Sequence, residues 1–172
     1  GYIIANCVEC EPVLHHNMSR IERRPGEIIK GIRYAMSSTG AKKAYIAIKS
    51  KHLNAIKALK DYLKNDSSIQ IKELPDMYPM GEERAIIHAI FDRWLEPTQL
   101  PAEADCVVLN AETLFNITMA VDHRKPVIDK DITVIGKLKS GIEPNVFFQV
   151  PVGSSIKSLI EKCGGIDGEY GE

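Results

Sequence analysis

The sequence predicts an α/β fold: a doubly wound, mostly parallel sheet followed by part of a smaller, β-rich unit. Three observations carry that expectation. Short apolar runs of β type alternate with stretches of helical spacing as far as residue 128, and the connections between them have the length that parallel strands need. After Pro126 the alternation stops, and two strands and one short helix follow. A chain of 172 residues suits one domain plus a fragment of the next and is long enough to bury a core. The expected division is residues 1–128 and 129–172.

The elements follow in order. Tyr2 to Ala5 reads as a strand that runs into an acidic turn, and His15, His16 and Asn17 lead through a polar stretch to Arg24-Pro25-Gly26. Pro25 opens a helix. Ile28, Ile32 and Met36 recur at fourfold spacing along it until Ser37-Ser38-Thr39-Gly40 stops it. Ala44 to Ile48 is a second strand. A helix after Ser50 sets Leu53, Ile56, Leu59 and Leu63 on one face and ends near Asn65-Asp66. Ile69 to Leu74 is a third strand, closed by Pro75. The next helix follows Gly81 and directs Ile86, Ile87, Ile90, Phe91 and Trp94 inward; Pro97 and Pro101 mark its exit. Cys106-Val107-Val108-Leu109 is apolar enough for a strand buried on both faces, and Leu114, Ile117 and Val121 mark a further helix. Asp131 to Gly136 and Val146 to Val150 read as strands. Ser154 then opens a helix with Ile156, Leu159, Ile160 and Cys163 inward, ended by Gly164-Gly165, and the tail from Ile166 to Glu172 is expected to fray.

Composition removes several function classes. With 22 basic residues against 23 acidic ones there is no global field for a nucleic-acid backbone or an anionic bilayer, so no nucleic-acid partner is expected. Apolar runs stay far below the ~20 residues that cross a bilayer, and no signal peptide is present, which predicts a cytoplasmic protein that reaches a membrane only through partner subunits. Four cysteines, Cys7, Cys10, Cys106 and Cys163, fit a reducing compartment. Cys7 and Cys10 have the two-residue spacing of metal and redox pairs but lack a second pair, and adjacent His15 and His16 point apart, so no metal site is expected. Tyr34, Tyr45 and Tyr62 read as packing or surface residues. The basic cluster Arg20, Arg23 and Arg24 reads as a solvated loop.

Chemistry concentrates in three acceptor-rich turns that each follow a β-type run. They are Asn6-Cys7-Val8-Glu9-Cys10-Glu11-Pro12, Tyr78-Pro79-Met80-Gly81-Glu82-Glu83 and Leu109-Asn110-Ala111-Glu112-Thr113. In a parallel sheet such strand ends meet at one edge, where α/β proteins bind ligands. A helix start alone would explain Glu82 and Glu83, since carboxylates complement the helix dipole.

The three motifs in this order resemble the flavin-binding domain of the NADH-oxidising, 51 kDa-type subunit of respiratory NADH dehydrogenase. The Cys-Glu-Pro wording of the first and Tyr-Pro in the second lean toward the C subunit of Rnf-type electron-transport complexes, whose cousins include the electron-transfer protein associated with proline reductase and the cobalamin reductases. The resemblance covers about residues 2–128, and the remainder, with Thr133-Val134-Ile135-Gly136 and Val152-Gly153-Ser154, is similar to the start of a β-grasp domain. It implies that Asn6, Glu9, Tyr78, Gly81, Glu82 and Asn110 line FMN. It also implies that Glu11, Tyr78 and Glu83 face the nicotinamide nucleotide and disfavour a 2′-phosphate, with Thr113 and Glu112 as further contacts. Departures are Val8, where complex I-type relatives have Asp, and Leu109, where they have Asn. Because the chain opens without Met in a strand already under way, it reads as an N-terminally truncated piece. The family's glycine-rich phosphate loop and its Lys would lie upstream of Gly1, so this piece alone is expected to bind FMN poorly and to be inactive.

What the resemblance implies overall is an oxidoreductase that passes electrons from NADH through FMN to 4Fe-4S clusters outside this chain. Its partners would be other subunits of an electron-transfer complex or a reductase such as proline reductase. Three alternatives stay open: a non-catalytic docking scaffold, a cobalamin-reductase-type flavoprotein, and a dithiol carrier using Cys7 and Cys10.

Overall fold

The computed structural model describes residues 1–64, 66–141 and 143–168. The chain divides into two compact units. The first holds Gly1–Cys10 and Asn17–Pro126; the second holds Glu11–His16 and the residues from Val127 on.

In the first unit, β1 (Tyr2–Asn6), β2 (Lys43–Lys49), β3 (Ile69–Leu74) and β4 (Cys106–Asn110) form one parallel sheet in the order β3-β2-β1-β4. The helices are α1 (His16–Arg23), α2 (Pro25–Thr39), α3 (Leu53–Leu63), α4 (Glu83–Phe91) and α5 (Ala111–His123). Strand alternation sorts β1 into two cores. Ile3, Ala5 and Cys7 join Ile28, Ile32, Leu59 and Leu114 from α2, α3 and α5, whereas Ile4 and Val8 join Ile86 and Ile87 from α4. The chain therefore winds helices onto both faces of the sheet, and the order reverses between β1 and β4. Ligands in such folds bind outside the carboxyl ends of the strands at that reversal.

Several side chains depart from their expected places. Trp94 is 73% exposed, because Asp92 takes a left-handed conformation that ends α4 before the helical row can reach it; its ring stacks on His88 at 3.7 Å between centroids. Leu53 stands six residues before the buried Leu59, about a third of a turn off the inward row. In α5 the buried row runs through Ala111, Leu114, Phe115 and Thr118, which rotates Val121 into solvent. The strand expected to be buried on both faces lies at the sheet edge, and Val107 is exposed there.

One helix was unexpected. In α1 the inward row is Asn17, Met18, Arg20 and Ile21, and Arg20 lays its guanidinium 4.1 Å from the centre of the Phe115 ring. Two of these four side chains are polar in a hydropathy pattern, yet arginine buries its stem as an apolar side chain does.

In the second unit, β5 (Asp129–Val134) and β6 (Asn145–Pro151) pair antiparallel with an irregularity between Lys130 and Ile132, and α6 (Ile156–Lys162) follows. Leu159 and Cys163 are buried as expected, Ile156 at the first helical position is exposed, and Gly164 and Gly165 end the helix at positive φ. Asn65 and residues 169–172, the end of the expected frayed tail, lie outside the described residues. Among the described residues no helix is long and apolar enough to cross a membrane, and no group of three His, Cys, Asp or Glu side chains could hold a metal ion.

Candidate nucleotide site at the sheet rim

Parallel pairing fixes the first two turns in register. Asn6 closes β1 and is the partner of Ala47 on one side and of Asn110, the last residue of β4, on the other. The third turn is tied to the first by side chain. Asn6 Nδ2 donates to the Gly81 carbonyl at 3.0 Å, while Asn6 Oδ1 accepts from the Val8 N–H at 3.1 Å and bends the chain away from the strand. Three loops far apart in sequence thus converge at the β1–β4 reversal.

Gly81 is gripped from both ends, because its own N–H donates to Cys10 Sγ at 3.0 Å. A Cβ built on it would fall 2.5 Å from that sulfur and 3.2 Å from the Val8 carbonyl oxygen. The turn needs glycine because two stretches of chain approach too closely for a side chain to stand between them. The Tyr78–Pro79 peptide that precedes it is cis.

Asn110 and Glu82 each begin a helix. Asn110 Oδ1 accepts from the Glu112 N–H at 2.8 Å at the start of α5, and Glu82 Oε2 accepts from the Ala85 N–H at 3.1 Å at the start of α4. The Arg84 Nε–H donates to Glu82 Oε1 at 2.7 Å. Burial raises the Glu82 pKa, but the guanidinium and the helix N–H groups outweigh it and hold the carboxyl below its ordinary value. Capping and a place on the rim coincide in these residues, so the helix-start reading and the binding reading describe the same side chains.

Glu9 differs from the rest. It is buried, 8% exposed, and its Oε1 accepts the Asn17 N–H at 2.9 Å in the first turn of α1, while Oε2 has no hydrogen-bond partner. Burial raises its pKa to about 7 against the opposing pull of the Asn17 and Met18 amides. An acid raised in the folded state gives stability that is complete below its unfolded pKa, near 4.5, and is lost as pH climbs through about 7. At 1.36 kcal/mol per unit the loss approaches about 3 kcal/mol. Glu9→Gln should therefore flatten the decline in stability between pH 4.5 and 7.5, read as urea midpoints of flavin-free protein; an unchanged slope would assign the pH dependence elsewhere.

The remaining expected residues are placed as follows. Tyr78 is 78% exposed in the same loop as Gly81, Glu83 is the exposed first residue of α4, and Thr113 is exposed in the first turn of α5. Glu11 is exposed and belongs to the second unit.

Cys7 and Cys10 are both free thiols and pack in different cores. Cys7 is fully buried, and burial, helped by the Glu9 charge, pushes its thiol to about 12, so it supplies no thiolate at neutral pH. The two thiols, placed in different cores, give a dithiol carrier no support. The role of Cys10 is instead to receive the Gly81 amide.

Sequence reasoning missed Lys49. It ends β2, is buried, and sets Nζ 3.0 Å from Asp76 Oδ1, while Lys51 Nζ takes the other oxygen at 2.9 Å. Asp76 is held below its ordinary pKa by Lys51 and then Lys49. A lysine closing the otherwise apolar run Ala44 to Ile48 was the available signal.

Comparison with known proteins agrees with this geometry. A family model described as the Nuo51 FMN-binding domain matches residues 1–119. The chain is 35% identical over 162 residues to cobalamin reductase PduS of Salmonella typhimurium, covering 94% of this chain and 35% of that protein. It is 29% identical over 170 residues to the C subunit of the Na(+)-translocating ferredoxin:NAD(+) oxidoreductase complex of Acetobacterium woodii, covering 99% of this chain and 38% of that relative. The chain thus spans little more than a third of these curated relatives. Among solved structures, a chain of an NAD+-reducing NiFe-hydrogenase in the air-oxidised state superimposes with a TM-score of 0.79 at 19% identity, over 98% of this chain and 33% of that one, a likeness of fold.

Proposed function

The chain belongs to the Nuo51 FMN-binding domain family, and from that premise we propose that it forms the flavin-holding part of an electron-transfer oxidoreductase fed by NADH. The observation that carries this reading is the meeting of Asn6, Gly81 and Asn110 at the β1–β4 reversal. FMN, when bound, accepts a hydride from reduced nicotinamide and releases the two electrons singly.

The residues present suit the ring and ribityl portion of that cofactor. Gly81 carries no side chain, and Cys10 and Val8 already stand where its Cβ would be, so the 78–82 loop lies close against the first turn. Asn6 and Asn110 keep one lone pair or amide hydrogen beyond their internal bonds, and Glu9 Oε2 is an acceptor without a partner. Asn6, Glu9, Tyr78, Gly81, Glu82 and Asn110 would hold the flavin, with Thr113 and Glu112 nearby in the chain. Glu11, Tyr78 and Glu83 would hold the nicotinamide nucleotide, where carboxylates bind ribose hydroxyls in pairs and repel a 2′-phosphate. A phosphate monoester needs a cluster of N–H donors or cations, whereas this set is mostly carboxylates and other acceptors, so the 172 residues alone should hold FMN weakly and turn over little.

Residues 1–128 are proposed as the nucleotide domain and 129–172 as the start of a β-grasp-like domain. Electrons would leave for 4Fe-4S clusters elsewhere in the longer protein and for partner subunits, with any membrane association made through those partners. The 35% identity to a cobalamin reductase favours a second terminal acceptor, a cobalamin protein. Purified full-length protein should show flavin absorption bands that NADH bleaches without oxygen. A flavin-free preparation that also refuses added FMN would remove the proposal.

A further inference from the structure

Residues 75–79, between β3 and the Gly81 turn, are all exposed, so burial does little to fix them. Turn hydrogen bonds make the segment one piece. The Met77 N–H donates to the Pro75 carbonyl at 3.0 Å, the Met80 N–H to the Met77 carbonyl at 3.3 Å, and the Glu82 N–H to the Pro79 carbonyl at 2.8 Å. Where that piece sits is decided at its ends. Downstream, Gly81 is bonded to Asn6 and Cys10. Upstream, Asp76 takes Lys49 Nζ at 3.0 Å on one carboxylate oxygen and Lys51 Nζ at 2.9 Å on the other.

Lys49 closes β2 opposite Leu74 of β3, is only 6% exposed, and follows Ile46, Ala47 and Ile48, all fully buried. An apolar side chain there would pack without the desolvation that a buried ammonium costs. Lysine is not the choice that stability favours. What the ammonium adds is a fixed point for a carboxylate two residues beyond β3, on a segment that apolar contacts leave unsecured. Lys51 and Lys49 hold the Asp76 carboxyl below its ordinary pKa, so the tether is charged at neutral pH.

We infer that Lys49 is a positioning residue for the flavin site: its ammonium, through Asp76, holds the 76–82 loop where Tyr78 and Gly81 meet the flavin. This rests on the reading above that the loop lines FMN. Lys49 acts through Asp76 and needs no contact with the cofactor. Without the tether the loop spends a smaller fraction of the time in its binding-competent place, and the apparent affinity falls by that fraction.

The test uses flavin-stripped full-length protein carrying Lys49→Met, which keeps an unbranched side chain without the charge, or Lys49→Arg, which keeps the cation. Lys49→Met leaves no unpaired buried charge, because half-exposed Asp76 still has Lys51. FMN is titrated by fluorescence quenching, and melting temperature and amide hydrogen exchange across residues 77–82 are measured without flavin. Lys49→Met should raise Kd for FMN by about five- to tenfold, as when the loop is in place for only about a fifth to a tenth of the time. It should also speed exchange across 77–82 at an unchanged melting temperature, and Lys49→Arg should restore both readings. Unchanged Kd in folded Lys49→Met, or failure of Lys49→Arg to restore, would overturn the inference. An unfolded Lys49→Met protein, or one that melts more than about 5 °C lower, would assign Lys49 to stability and overturn it equally. Should wild type not bind FMN, the functional reading falls separately. The exchange measurement then decides: unaltered exchange in Lys49→Met overturns the positioning of the loop, and faster exchange supports it.

Discussion

Gly31→Ala should cost the first unit about 3 kcal/mol or more, at or above the upper end of the usual range for overpacking. Gly31 lies inside α2, and a Cβ there would stand 2.0 Å from the Leu114 carbonyl oxygen and 2.6 Å from its carbon. Both atoms are backbone in the first turns of α5, so no rotamer change relieves the contact. The helices must separate, and α5 is capped by Asn110 on the rim. Thermal unfolding should drop by on the order of 10 °C. Gly26→Ala, in the same helix, supplies the contrast. Its Cβ would meet the ring of Tyr62 at 2.7 Å, a half-exposed side chain that can swing aside. Equal melting temperatures for Gly31→Ala and wild type would mean that α2 and α5 are not packed as described.

The same contact shows which parts of the molecule were legible in its amino acids. Ile28, Ile32 and Leu59 announced their helices because apolar spacing at 3.6 residues has few other meanings, and all three are buried. Asn6 and Asn110 could be placed at one edge because each ends an apolar run in a parallel sheet, and their register partnership follows from that topology. What could not be read was pairwise. The bond from Asn6 to Gly81 spans 75 residues, and the sulfur that receives the Gly81 amide belongs to a cysteine whose spacing pointed toward metal or redox chemistry. Helix α1 was hidden because Asn17 and Arg20 occupy inward positions. Trp94 was misplaced because Asp92 reverses the chain through a left-handed conformation that hydrophobic spacing does not encode.

Gly81→Ala should weaken FMN binding by about tenfold or more while the protein remains folded. The new Cβ would meet Cys10 Sγ at 2.5 Å, well inside contact distance, and the Val8 carbonyl oxygen at 3.2 Å. Relief requires the 78–82 loop to move off β1, which breaks both the Asn6–Gly81 and the Gly81–Cys10 hydrogen bonds and shifts the start of α4 at Glu82. Tenfold corresponds to about 1.4 kcal/mol, comparable to losing one or two such bonds. The core is spared, since Ile86 and Ile87 remain available to pack from α4. Removing the obstructing sulfur should reverse part of the loss. In Gly81→Ala/Cys10→Ala the closest contact disappears, and the Val8 contacts that remain ask for a shift of only a few tenths of an ångström.

The claim on which the account rests, that the turns after β1, β3 and β4 build one flavin site, is tested most directly by titrating FMN into flavin-stripped full-length protein of three kinds: wild type, Gly81→Ala and Gly81→Ala/Cys10→Ala. Quenching of flavin fluorescence gives Kd, and circular dichroism confirms folding in each. The predicted order is tightest for wild type, weakest for Gly81→Ala and intermediate for the double variant. Three equal affinities in folded proteins would place the flavin away from this rim and contradict the account.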